Sequence, residues 1–165
     1  MNPLSELRAS DFWEAVRVAD LSFRSAVLSD VEAVLGFWTI AAEDSSRPAD
    51  TADALERLIR RDAEALMLVT DGDAIVGSLV AGWDGWRCHL YRLAVHPQYR
   101  RSGIAHALLA RAEERFATLG GTRADAMVLD DNDSAHDVWS NTGYRRQPTW
   151  SRWVKPIETS AIAPS

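Results

Sequence analysis

The sequence predicts a mixed α/β (α+β) domain, with a central sheet of about seven strands flanked by about four helices. Three observations predict it. Short runs rich in Val, Ile and Leu alternate with longer segments whose apolar residues recur every three or four positions. In the middle of the chain, the runs 66–69, 75–83 and 86–95 are joined through Asp71-Gly72-Asp73 and Asp84-Gly85, turn sequences that link antiparallel strands. The run 86–95 is then followed by a long amphipathic segment and a further run at 123–129. A crossover of that length sets two strands parallel.

Taken in order, residues 1–20 read as an N-terminal extension with a candidate helix over 11–18, where Phe12, Ala15 and Val16 share a side. The domain proper spans 21–156. Leu21 to Ala26 is its first strand. Ser29-x-x-Glu32 has the form of a capping box, and Val31, Val34, Leu35 and Trp38 give the following helix one apolar face as far as about Ala42. A polar loop, Glu43 to Pro48, precedes a second helix from about Asp50 that buries Leu55, Leu58 and Ile59. In the strand 75–83, Gly77 and Gly82 mark bulges or close approaches of backbone. The long helix Ser102 to Leu119 carries Ile104, Leu108, Ala112, Phe116 and Leu119 at helical spacing and stops at Gly120-Gly121. After the strand Arg123 to Leu129, Asp130 to Asp133 turn and cap a short helix with Ala135, Val138, Trp139 and Thr142 on one face, ended by Gly143. Tyr144 to Arg146 and Trp150 to Val154 read as a final hairpin, and residues 157–165 as a flexible tail.

Composition narrows the function. A chain of 165 residues supports one domain with a sizeable core. A net charge of −6 argues against a general nucleic-acid surface and mildly favours cationic substrates, although acidity of this size serves solubility equally well. Cys88 is the single cysteine, so no intrachain disulfide forms. Its strand neighbour His89 points to the opposite face and does not activate it, which makes Cys88 structural. No apolar run reaches membrane-spanning length and the first residues lack a signal-peptide pattern, so the expectation is a cytoplasmic protein without membrane contact. The four histidines follow no metal-ligand spacing.

Chemistry concentrates at residues 93–105. An apolar strand ends at Pro97, a turn carries Arg100 and Arg101, and Ser102-Gly103-Ile104-Ala105 opens a helix. The opening turn of a helix presents backbone N–H groups without intrahelical partners at the positive end of its dipole, a setting that favours an anion. Gly103 lets a ligand approach the backbone, and the arginines suit phosphate oxygens. An ordinary strand-turn-helix with solvated arginines fits the same residues.

Arg100-x-x-Gly103-x-Ala105 resembles the acyl-CoA pyrophosphate motif of the GNAT superfamily of N-acetyltransferases, Arg/Gln-x-x-Gly-x-Gly/Ala, and Leu93-Ala94-Val95-His96-Pro97 is similar to that family's fourth strand. A second stretch, Asn132-x-x-Ala135-x-x-x-Trp139-x-x-x-Gly143-Tyr144, resembles the family's Asn-x-x-Ala-x-x-x-Tyr-x-x-x-Gly-Phe. The resemblance runs from about Leu21 to Pro156. It implies a GNAT fold and transfer of an acetyl group from acetyl-CoA, as co-substrate, to a primary amine of a small molecule or protein, by direct attack in a ternary complex. It implies that the backbone of Leu93, Ala94 and Val95 pairs with the pantetheine arm. It also implies that Arg100, Arg101, Ser102, Gly103, Ile104 and Ala105 hold the pyrophosphate, that Asn132 contacts the cofactor, and that a homodimer is possible.

The departures are informative. Trp139 stands where the family has the Tyr that protonates the CoA thiolate; an indole N–H donates a hydrogen bond but is no practical acid at neutral pH, which leaves Trp139 to pack against the cofactor and the thiolate's proton to come from water, from the departing ammonium or from another residue, Ser134 and Tyr144 being the candidates. His89 lies four residues before Leu93, a place where some members carry a catalytic Glu, and imidazole suits a general base. A structural His fits there as well. Strand alternation puts His89, Tyr91, Leu93 and Val95 on one face unless a bulge intervenes. His96 and His106 read as turn and helix-surface residues, and His136 as exposed. Met127 occupies the place of a Glu found in members that acetylate a ribosomal-protein N-terminus, so that specificity is not carried over. Glu43, Asp44 and Asp84 are loop carboxylates able to hold a cationic acceptor. A non-catalytic acyl-CoA-binding module is the alternative that Trp139 favours. A protein-interaction domain, with the seven tryptophans as its surface, is a third.

Overall fold

The structure is a computed structural model and describes residues 21–42 and 49–157. The helix expected over 11–18 and the acidic pair Glu43 and Asp44 lie outside the described residues. The elements are β1 (Ser22–Ser25), α1 (Val31–Ala41), α2 (Ala52–Arg61), β2 (Leu66–Asp71), β3 (Ala74–Trp83), β4 (Cys88–Val95), α3 (Ile104–Thr118), β5 (Ala124–Ala126) and α4 (Asp133–Asn141), with 3-10 turns at Leu28–Asp30 and Pro97–Tyr99. One sheet runs in the order β1-β2-β3-β4-β5, antiparallel up to β4 and parallel between β4 and β5, as the crossover length requires.

The sheet separates two cores. On one face α1 and α2 lay Val34, Phe37, Trp38, Leu55 and Ile59 over Leu66, Leu68 and Ala94. On the other, α3 lays Ile104, Leu108, Leu109, Ala112 and Phe116 over Val76, Leu79, Cys88 and Leu90. The strands are apolar on both sides because both faces are covered. Gly77 is a close-approach point as expected: a Cβ there would stand 2.8 Å from Ile104 Cγ2 and 3.2 Å from Val69 Cβ.

Helix ends account for most of the boundaries. After α3, the Gly121 N–H donates to Phe116 O (2.7 Å) and the Gly120 N–H to Ala117 O (3.1 Å), with Gly120 at φ +84. That is a Schellman closure, in which the left-handed residue is most easily glycine. Leu119, expected on the buried face, is 39% exposed because it is the C-cap rather than a helical residue. The start of α1 also differs from expectation. Ser29 lies within a 3-10 turn instead of capping the helix, and the Asp30 carboxylate accepts from the Val27 N–H (2.8 Å) and from Arg24 (2.6 and 2.8 Å). Arg24 holds the Asp30 carboxyl below the usual carboxylate range.

Among the described residues the strand count is five rather than about seven. β5 is three residues long, not the seven of 123–129, and residues 144–157 contain no strand. An isolated hairpin is marginal in water unless it buries one face. Here Trp150 (75%), Trp153 (93%) and Val154 (75%) are exposed, and the three-residue β5 offers little ladder to build on.

Candidate active site

The site begins with an irregularity in β4. Between the pairs Val80↔Tyr91 and Ser78↔Ala94, β4 spends one residue more than β3, a bulge that carries Arg92 at φ +52. Its supports are buried. Trp38 Nε1–H donates to Ser78 Oγ (2.9 Å), and the Ser78 hydroxyl donates to the Arg92 carbonyl (2.9 Å). The Arg92 guanidinium pairs with Asp50, just ahead of α2, and lies 5.1 Å from the Trp38 ring centre. The bulge also reverses the side-chain phase. Cys88 and Leu90 face α3, and so do Leu93 and Val95 beyond the bulge, whereas Arg92 and Ala94 face α1 and α2. Alternation back from Leu90 puts His89 and Tyr91 on the α1 and α2 side. His89 therefore does not share a face with Leu93 and Val95; the bulge intervenes.

Beyond the bulge β4 loses a neighbour. The ladder with β5 consists of Cys88↔Ala124, His89↔Asp125 and Leu90↔Ala126, so among the described residues Leu93, Ala94 and Val95 have β3 on one side and no strand on the other. Their unladdered edge opens into a cleft of about 2360 Å³, also lined by His89, Tyr91, Arg100, Arg101, Ala105, Asp125, Asn132 and Trp139.

One end of that cleft is the turn into α3. Arg101 (φ +61) and Gly103 (φ +84) both take left-handed backbone, and Gly103 is the N-cap. The first N–H of the helix to donate inward is that of Ala107, to Gly103 O (3.0 Å). The amides ahead of it have no helical carbonyl to meet. The Ser102 hydroxyl donates to Tyr99 O, and Arg100 Nε–H reaches Val95 O at 3.5 Å. Arg100 and Arg101 are exposed, whereas the Ile104 side chain is buried in the core, so its backbone is what remains for a ligand. Ser102, Gly103 and Ile104 sit between the lining residues Arg101 and Ala105 without lining the cleft themselves.

The other motif forms the start and end of α4. Asn132 is the N-cap, its Oδ1 accepting from the Ala135 N–H (3.0 Å) and from the Ser134 hydroxyl (3.1 Å). At the far end the Tyr144 N–H donates to Trp139 O (3.0 Å) and the Gly143 N–H to Ser140 O (3.2 Å). The rings of Trp139 and Tyr144 meet edge to face, 4.9 Å apart. This is the apolar contact that accompanies a Schellman ending. Burial and the adjacent Glu113 push the Tyr144 hydroxyl up. His136, expected to be exposed, is partly buried, and its Nε2 meets no partner among the described residues.

His89 is held between carboxylates. Its Nδ1 lies 3.1 and 3.2 Å from the two oxygens of Asp125, its register partner on β5. Its Nε2 lies 3.9 Å from Asp84 Oδ2. The other oxygen of Asp84 accepts from the Trp86 (2.8 Å) and Arg87 (2.7 Å) amides of the β3–β4 turn, bonds that hold this carboxyl below its usual range. Cys88 is 1% exposed, and burial raises its thiol. Among the described residues no group of His, Cys, Asp and Glu is arranged to hold a metal ion, and no helix is long and apolar enough to cross a membrane.

Sequence reasoning missed Asp125 and the Arg92–Asp50 pair. A charged residue inside the apolar run Leu90-Tyr91-Arg92-Leu93 was the available signal for Arg92. Asp125 had none, because register across a crossover is set by packing.

Comparison with known proteins identifies the family. Residues 30–144 match the acetyltransferase (GNAT) family. An acetyltransferase of Yersinia enterocolitica is 34% identical over 122 residues, 73% of this chain and 85% of that one. An aminoglycoside acetyltransferase from an uncultured soil metagenomic sample, solved with sisomicin, shares the fold with a TM-score of 0.68 at 14% identity, over 86% of this chain and 99% of that one. A Salmonella typhimurium structure solved with its cofactor acetyl-CoA does so with a TM-score of 0.63 at 15% identity, over 75% and 79%. The family match over most of the chain, on a sheet of the matching class, establishes that the chain belongs to the acetyltransferase (GNAT) family.

Proposed function

We propose that this acetyltransferase uses acetyl-CoA to acetylate a primary amine of a small molecule or protein, the amine attacking the thioester directly while both substrates are bound. The observation that carries this is the opening into one cleft of the strand edge at Leu93 to Val95, together with the turn into α3, whose Arg101 and Ala105 line the same cleft and whose amides ahead of Ala107 have no helical acceptor. The first suits an amide-bearing pantetheine arm and the second a pyrophosphate beside Arg100 and Arg101. Acetyl-CoA supplies the activated acyl group. The chain's own residues hold it, orient the amine and take the amine's proton, His89 being the base. Burial of Cys88 with its raised thiol speaks against an acyl-cysteine route. Trp139 packs on Tyr144 and lends no proton.

Trp139 favours one other reading, a module that binds acyl-CoA without turnover. Calorimetric titration with acetyl-CoA, paired with thiol release across an amine panel, separates the two. Saturable binding is expected, about tenfold weaker in Arg100→Ala, as loss of one charge-assisted contact costs about 1.4 kcal/mol. It is expected to be abolished in Gly103→Asp, where a side chain at φ +84 and a negative charge both oppose the anion. Binding without thiol release from any amine supports the module. No binding by the folded wild type overturns both readings.

A further inference from the structure

The neighbours of His89 define its chemistry more closely than its position in β4 does. A carboxylate only accepts hydrogen bonds, so with Nδ1 at 3.1 and 3.2 Å from Asp125 the ring carries its proton on Nδ1. Nε2 is then a lone pair. It faces Asp84 Oδ2 across 3.9 Å, a gap too long for a hydrogen bond between the two. A third nitrogen about 2.9 Å from each atom fits across that gap and would donate one N–H to Nε2 and another to Oδ2. An ammonium group has the donors and the charge for such a seat, and a neutral or anionic group does not. The ring is 32% exposed, and both His89 and Asp125 line the cleft. Among the described residues, the other charged or titratable groups near it include Tyr91, whose ring centre is 6.1 Å from that of His89, Arg152, which acts on the Tyr91 hydroxyl, and the Cys88 thiol, on which Asp125, Asp84 and Arg115 all act.

We propose that Asp125 is the positioning residue of His89, holding Nδ1–H so that Nε2 takes a proton from an acceptor that enters as an ammonium ion drawn by Asp84. In this step one N–H bond of the ammonium breaks and an Nε2–H bond forms. The amine is left with its lone pair for attack. The imidazolium, flanked by two carboxylates, returns its proton to water. This inference rests on His89 as the base.

The test is long-range proton–nitrogen NMR on the full chain, with His89→Gln to identify the resonance among the four histidines. In the wild type at a pH where the ring is neutral, Nε2 is expected at the shift of an unprotonated nitrogen. In Asp125→Ala it is expected to move to the protonated shift of the Nε2–H form that a free imidazole side chain prefers. Backbone amide shifts unchanged outside β4 and β5 show the fold of Asp125→Ala to be intact. Titration with spermidine, a polyamine cation, is expected to perturb the wild-type Nε2 resonance and to need at least threefold more ligand in Asp84→Asn. An Nε2–H ring in the wild type, or a tautomer indifferent to Asp125→Ala, overturns the positioning role. A resonance indifferent to spermidine overturns the ammonium seat. These readouts need no turnover, so a failed tautomer test and failed acetyl-CoA binding remain separate results.

Discussion

Ser78 has the smallest side chain in the chain Trp38–Ser78–Arg92, yet both neighbours depend on it. Its hydroxyl accepts from a buried indole and donates to the carbonyl of a residue at φ +52. A non-glycine residue in left-handed backbone persists when its surroundings over-determine it, and here they do so through two hydrogen bonds and the Arg92–Asp50 ion pair. Ser78→Ala removes the acceptor of the buried Trp38 N–H and the hydroxyl bond to the Arg92 carbonyl. The expected cost is about 1–3 kcal/mol in denaturant unfolding. Trp38→Phe in the same background removes the stranded donor, so the double variant is expected to be less destabilised than the sum of the two single changes. Strict additivity would show that the three groups do not act as one network. A local cost of this kind also explains why the site residues were unevenly legible. Arg100, Gly103 and Asn132 belong to contiguous motifs whose spacing carries the chemistry. Arg92, Asp50 and Asp125 act across the sheet, and the first two meet because of a bulge that no local residue pattern announces.

At the scale of elements, the sequence was legible wherever structure is closed locally. Gly120-Gly121 and Gly143 end their helices by left-handed turns, and Asp71 to Asp73 and Asp84-Gly85 join their strands as expected. It was misleading where a segment depends on a distant partner. Trp150 to Val154 has strand-like composition but no sheet face to cover it. Gly77 shows how one element sets another. The absent side chain lets β3 meet the first residue of α3, and the start of α3 is the turn proposed to hold the pyrophosphate. In Gly77→Ala the new methyl would meet Ile104 Cγ2 at 2.8 Å and Val69 Cβ at 3.2 Å, in a core already filled. Overpacking of this size costs about 1–3 kcal/mol. Because Ile104 is the side that must yield, acetyl-CoA affinity is expected to fall together with stability, by about three- to tenfold by calorimetry. A loss of stability with unchanged affinity would mean that the helix start adjusts without moving its amides.

For the whole molecule, the decisive feature is how little joins its two arms. β1 to β4, with α1, α2 and α3, share two continuous cores, whereas β5 joins β4 through three register pairs and α4 has no fully buried residue. The cleft is the space that this short ladder leaves. Its lining comes from β4, the α3 turn and parts of α1, α2 and β3 on one arm, and from β5, α4 and the segment after it on the other. A ligand filling that space supplies contacts that the protein itself lacks, and binding to the folded state alone stabilises it by about 2.7 kcal/mol at a hundred times its dissociation constant. The gain should not be uniform, because local opening is easiest where buried contacts are fewest. In hydrogen exchange of the free protein, amides of residues 124–141 are expected to exchange faster than those of β3 and the centre of α3. Acetyl-CoA is expected to slow exchange most at 93–95, at 102–105 and over 124–141. Protection confined to the α3 turn would mean that the ligand grips one arm only, and that the open edge of β4 is not its track. Protection of all three segments together would mean that the second arm takes its final stability from the substrate it closes on.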